Sequence, residues 1–311
     1  MATLPGYRIR IADRDPDAWR DVRSPRFLIG SSPHADLVVD GAHRHARLEL
    51  GDDGLVVRAL GGAVRVDGVA ILAAPLGAAA RLALGDGFDL DVARGDDWEP
   101  PAAAVAALAG DAPLRRLALA ALAAAGPRLA IEGDPGAGAT TAARALHAAR
   151  RPGGPLVEVD CAGDVDTVEP RLFGAAMGRL GLAAPARPAA FAEARGGTLV
   201  LDRVDSLDPS LHTRLIAALD RADDVAVIAT CRDLDTADLP APLHDRLAAA
   251  RAWLPPLAAM ASDLLGFARR FAADAGIAAD LPRDLPRILS ARPWRGNLAE
   301  LRRFVARLAA P

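Results

Sequence analysis

The run Gly133-Asp-Pro-Gly-Ala-Gly-Ala-Thr140 has the glycine spacing of a loop that wraps phosphate oxygens with backbone N–H groups. Gly133, Gly136 and Gly138 let the chain turn tightly, and Thr140 with Thr141 opens the helix whose N-terminus would face the anion. Thr140 also offers the hydroxyl that such a loop gives to Mg²⁺. The position before it, where a lysine would reach the outer phosphates, is Ala139. No other lysine can substitute, because all 37 basic residues are arginine. A methyl group cannot neutralise charge on a transferring phosphoryl group, and catalysis of that type rests almost wholly on such neutralisation. The loop is therefore expected to bind ATP or ADP with Mg²⁺ weakly and to hydrolyse nothing. An ordinary strand-to-helix turn is the alternative reading.

Such a loop needs a strand before it and a helix behind it. Residues 128–131 read as the strand and 140–150 as the helix. Residues 156–160, 198–202 and 225–230 are further buried-strand candidates alternating with helical stretches, which predicts a parallel sheet with nucleotide at its carboxyl edge. Asp202 ends one of these strands, as a partner for Mg²⁺ or as a simple strand cap. Helices follow from 258 to 310. Upstream, residues 7–11, 26–29, 36–39, 46–50, 55–58, 64–66 and 87–92 read as short strands separated by Gly, Pro, Asp or His clusters. The fold class is thus multidomain: an N-terminal all-β sandwich, then a C-terminal α/β phosphate-loop domain with a helical lid. Charge and proline around 94–101 mark a linker.

At 311 residues the chain is long enough for two cores, and 51% of it is apolar. A net charge of −3 gives no global attraction to nucleic acid. Neither a transmembrane run nor a signal peptide is read, so the cytoplasm is expected. Cys161 and Cys231 are too few for a disulfide framework and lack metal-ligand spacing, so no metal centre is assigned to them. The absence of Lys and Gln, with Asn297 the single Asn, reads as compositional bias of a GC-rich genome.

Residues 27–39, His43-Arg-His-Ala-Arg-Leu48, Val66-Asp-Gly68 and Leu84-Gly-Asp-Gly-Phe88 together resemble a forkhead-associated (FHA) domain, over residues 1–94. The resemblance implies a β-sandwich that binds phosphothreonine through an arginine, a serine and an asparagine. Here the first two positions are Ser31 and Ala42, and the third falls in a shortened segment near Gly61-Gly62. Losing a guanidinium removes the strongest expected phosphate contact, so a preference for phosphothreonine is expected to be lost. Ser31 and Arg44, with His43 beside it, are the remaining phosphopeptide-binding candidates, and His45 is expected to be a structural hydrogen-bonding residue.

The C-terminal landmarks are the glycine loop, Pro155–Ala162, Leu172-Phe-Gly174, Gly196–Asp202, Leu211–Leu215, Ala229-Thr-Cys-Arg-Asp-Leu234, Leu254–Leu257 and Trp294–Leu301. In this order they resemble the AAA+ domain of bacterial sigma-54 activators, the enhancer-binding proteins. The resemblance implies a linker at 95–112, an AAA+ core at 113–257 and a helical lid at 258–311. It also implies residue roles at which this chain differs. Arg203 stands for the glutamate that positions water, Cys231 for the sensor asparagine and Ala299 for the sensor arginine. Pro240 stands for one arginine finger, leaving Arg246 as a finger or a surface ion-pair residue. Gly178–Ala183 replaces the loop that touches the sigma factor, and Arg203 is expected to pair locally with Asp205. From these differences the chain is expected to be a catalytically inactive pseudo-ATPase, not an enzyme, serving as a signalling scaffold or assembly partner. Its partner would be a protein, an active AAA+ relative or a phosphoprotein, with no direct DNA binding and no membrane. The alternatives are an ATP-binding sigma-54-dependent transcription regulator and a peptide-binding adaptor working through the FHA-like part alone.

Overall fold

A computed structural model describes residues 3–12, 17–42, 45–51, 54–85, 87–99, 112–120, 126–174, 189–277 and 281–308. The chain divides into two compact units, Met1–Ala120 with Pro255–Pro311, and Ala121–Leu254. Among the described residues no helix is long and apolar enough to cross a membrane.

The first unit is built on two sheets. One runs in the order Arg20–Asp21, Tyr7–Ile11, Phe88–Arg94, Ala79–Leu84, Val64–Val66 and Val69–Ile71, and the other Leu37–Val38, Arg26–Gly30, Ala46–Gly51, Gly54–Ala59 and Ala73–Leu76. Alternation places Ala46, Leu48 and Leu50 inside while Arg47 and Glu49 take the other face. There Glu49 gathers Arg47 at 2.8 Å, Arg58 at 3.3 Å and Arg26 at 3.6 Å. Trp98, expected in the linker, instead pairs its backbone with Leu4, N–H to O at 2.8 and 3.0 Å. Its indole lies under the Arg23 guanidinium at 4.4 Å, so the residues just after Arg94 still belong to the sandwich.

The segment 258–311, expected as a lid on the α/β part, belongs to this first unit. The physical reason is a shared core: Phe267, Leu289, Trp294, Leu301 and Val305 fall in one buried cluster with Ile29, Leu48 and Leu82. Two contacts fix the terminal helices. Trp294 donates its indole N–H to Leu289 O at 2.7 Å, and the buried Asn297 Oδ1 accepts the Leu257 N–H at 2.8 Å.

The second unit is one parallel sheet in the order Leu156–Asp160, Thr198–Asp202, Ala226–Cys231, Arg128–Glu132 and Arg251–Trp253. Its central strands read as unbroken apolar runs because helices cover both faces. Helix Ala139–Arg150 follows the first strand and buries Ala142, Ala143 and Leu146.

Candidate functional site

Parallel pairing brings the carboxyl ends of all five strands to one edge, where Glu132, Asp160, Asp202, Cys231 and Trp253 stand at or beside the strand ends. The glycine loop leaves this edge after Glu132. Its first amide, Gly133 N–H, donates to Cys231 O at 3.0 Å, and Ala137 N–H closes a turn on Asp134 O at 2.9 Å. A Cβ on Gly133 would lie 3.2 Å from both Ala137 Cβ and Leu254 O. Gly136 (φ 83°) and Gly138 (φ 98°) occupy the left-handed region, which frees the loop to enter helix Ala139–Arg150 directly. Amides at such an entry, together with the helix dipole, favour an anion.

At the loop's end Thr140 Oγ1 donates to Asp202 Oδ1 at 2.8 Å. The same oxygen accepts from Thr230 Oγ1 at 2.6 Å, and Thr230 Oγ1 in turn accepts the Arg203 N–H at 3.0 Å. Two strand ends and the helix N-terminus are thus tied by one carboxylate. Thr230 was not singled out from the sequence as a site residue; a hydroxyl at the end of the strand beside Asp202 was the available signal. Thr141, on the next position of the helix, is exposed.

Arg203 adopts φ 56°, ψ 50°, a left-handed conformation unusual for a side chain of this size. Its guanidinium pairs with Asp160 rather than with Asp205. Asp160 is the register partner of Asp202 on the neighbouring strand, whereas the Asp205 carboxylate accepts the Arg232 N–H at 3.0 Å. Cys231 is buried, and that burial, with Glu132 next, pushes its thiol well above its ordinary pKa. Burial likewise raises Cys161, to about 12, with Asp160 and Asp202 adding to the effect.

Other residues lie apart. Arg246 is held in a two-pronged pair with Asp220, at 2.7 and 2.8 Å, which keeps the Asp220 carboxyl below its usual range. Within this chain Arg246 thus makes an ion pair at the surface. Pro240 caps helix Ala241–Leu247, and Ala299 is exposed on helix Asn297–Leu308 of the first unit. In the β half, Ser31 Oγ donates to Gly41 O at 3.2 Å. His45 is buried and its Nε2 bonds Ala63 O at 3.1 Å, with Gly62 so close that a Cβ there would be 2.6 Å from the ring. His43, Arg44 and Gly178–Ala183 lie outside the described residues.

Residues 114–229 match the family described as the Sigma-54 interaction domain. The chain is 32% identical over 207 residues to the DNA-binding transcriptional regulator NtrC of Rhizobium meliloti, covering 58% of this chain and 42% of that protein. It is 34% identical over 203 residues to the regulatory protein LuxO of Vibrio cholerae, covering 58% and 38%. The chain therefore spans less than half the length of these relatives. Among solved structures it is similar to NtrX from Brucella abortus in complex with ADP, at 28% identity and a TM-score of 0.50, covering 58% of this chain and 44% of that one. The chain contains a sigma-54 interaction (AAA+) domain.

These comparisons correct the expectation of a catalytically inactive pseudo-ATPase scaffold that is no enzyme. NtrC is a DNA-binding transcriptional regulator and LuxO a regulatory protein, and the NtrX structure holds ADP. The physical reason lies in what a phosphate cradle is made of. Backbone amides, left-handed glycines and a hydroxyl–carboxylate pair form most of it, and Ala139 removes only one cation from that set.

Proposed function

We propose that this chain is a nucleotide-binding, sigma-54-dependent transcription regulator whose α/β part, residues 121–254, takes ATP or ADP. The observation that carries this reading is the Thr140–Asp202 bond at the mouth of the glycine loop. It sets a hydroxyl and a carboxylate together where phosphates would meet the helix N-terminus. These two oxygen donors suit Mg²⁺, a hard cation bound through a few protein oxygens and the phosphates themselves; Thr140 and Asp202 would hold it, and it would screen phosphate charge. Gly136, Gly138 and Thr141 supply amides around the same point, while Gly133, its N–H held by Cys231 O, fixes the start of the loop.

Residues 1–94 are read as an FHA-type module that docks a protein partner. Two facing sheets and the sequence landmarks around Gly30, His45 and Gly68 support that reading. Ser31 brings no guanidinium and its hydroxyl is engaged by Gly41, so docking should not depend on phosphate.

Calorimetric titration with ADP and ATP, each with and without Mg²⁺, tests the first part. Binding by the wild type, lost in Asp202→Ala, is expected, and retention of a sigma-54 subunit should then depend on nucleotide. Absence of any nucleotide binding overturns the reading.

A further inference from the structure

The deficit of charge at this site and the position of Arg203 belong together. A loop without lysine still faces a polyanion, and the acidic side chains Asp160, Asp202 and Asp205 crowd the same sheet edge. Arg203 is the cation that follows Asp202 directly. Its backbone is not free: the N–H is pinned to Thr230 Oγ1, the hydroxyl that shares the Asp202 carboxylate with Thr140. It also sits at φ 56°, a conformation that a long side chain adopts at some cost and that recurs where function over-determines the backbone.

The side chain is about half exposed and spans one strand spacing, from the end of strand Thr198–Asp202 to Asp160 at the end of its neighbour. On the opposite side of its strand lies Thr230, and beyond that the strand that feeds the glycine loop, whose Thr140 is itself bonded to Asp202 next to Arg203. An exposed ion pair contributes little to stability, so Asp160 holds Arg203 loosely.

The geometry points to Arg203 as the phosphate-contacting cation of this chain, parked on Asp160 until a nucleoside triphosphate draws it across to the glycine loop. This rests on the nucleotide-binding reading above and deepens it. A guanidinium is suited to the role because it meets phosphate oxygens with two parallel N–H donors. Asp160 is then a competitor for the same cation and not a part of the cradle.

The two halves of the ion pair therefore make opposite predictions, which a merely structural pair does not. In the full chain with Mg²⁺, Arg203→Ala should weaken ATP binding about tenfold and ADP binding less. Asp160→Ala should tighten ATP binding several-fold, and Arg203→Lys should restore part of the lost affinity. Thermal unfolding of each variant, read by circular dichroism, shows whether it is folded. If the wild type binds ATP and folded Arg203→Ala binds it equally well, the role is overturned while the regulator reading stands. If both single variants weaken ATP binding alike, the pair is structural and the role is again overturned. A wild type that binds no nucleotide overturns both.

Discussion

Arg251 grips Asp235 with both arms of its guanidinium, Nη1 to Oδ1 at 2.8 Å and Nη2 to Oδ2 at 2.9 Å. The second arm also reaches Glu132 Oε1 at 2.7 Å, and that oxygen accepts the Leu234 N–H at 2.7 Å as well. Burial alone would lower the arginine's pKa, but Glu132 and then Asp235 more than offset it and hold the guanidinium above its ordinary range. Glu132 is the last residue before the glycine loop. The cluster thus locks the root of that loop to the segment that follows strand Ala226–Cys231.

Removing the cation leaves two carboxylates buried without their counter-charge. Arg251→Met should therefore cost about 3 to 5 kcal/mol, read from the urea midpoint of the α/β unit in the full chain. An unchanged midpoint would reduce the cluster to an incidental contact.

Ala139→Lys restores the charge that the loop lacks and should tighten ATP binding by about tenfold. Equal ATP affinity in the variant, measured by titration, would mean that the loop does not cradle phosphates.

Gly138 has φ 98°, where a Cβ is strained. Gly138→Ala should destabilise the loop by about 1 to 2 kcal/mol and weaken nucleotide binding together with it. The check is paired urea unfolding and ATP titration, and a variant as stable and as tight as the wild type would refute the geometric requirement.

Asn297 is buried at φ 53° and accepts the Leu257 N–H through its side chain. Asn297→Ala leaves that buried donor unpaired, at about 1 to 3 kcal/mol. Asn297→Asp, which keeps an acceptor oxygen in place, should be the milder change in the same denaturation experiment.

Both thiols are buried and their pKa values are raised, Cys161 to about 12. The thiolate is the reactive species, so iodoacetamide at pH 8 should leave the native protein unmodified and label both residues after unfolding. Mass spectrometry that finds Cys161 alkylated in the native protein would contradict its burial.

Most strands rich in Val, Ile and Leu were legible in the sequence at nearly their observed bounds, as were the glycine loop and the helix behind it, but the three-residue Val69–Ile71 was not. The strands missed are instructive. Ala73–Leu76 and Ala79–Leu84 consist largely of alanine, a weak strand former, and Arg251–Trp253 is three residues long and carries no period. Asp202 was legible as a strand-end carboxylate, but its ties to Thr140 and Thr230 depend on the order of the strands. The partner of Arg203 followed from register, since Asp160 and Asp202 are far apart in the chain and side by side in the sheet. The largest gap concerned residues 258–311: their apolar periodicity announced helices, and nothing in that periodicity named the surface they cover.

The first unit is discontinuous in the chain, entered before residue 121 and completed only after residue 254. During synthesis the α/β unit therefore has all five of its strands before the last helices of the first unit are made. Sequence order and order of assembly are inverted: the part made first is finished last. A ribosome that stalls near residue 255 would release a chain that holds every strand of the α/β unit and lacks Phe267, Trp294 and Leu301, which belong to the buried cluster of the first unit.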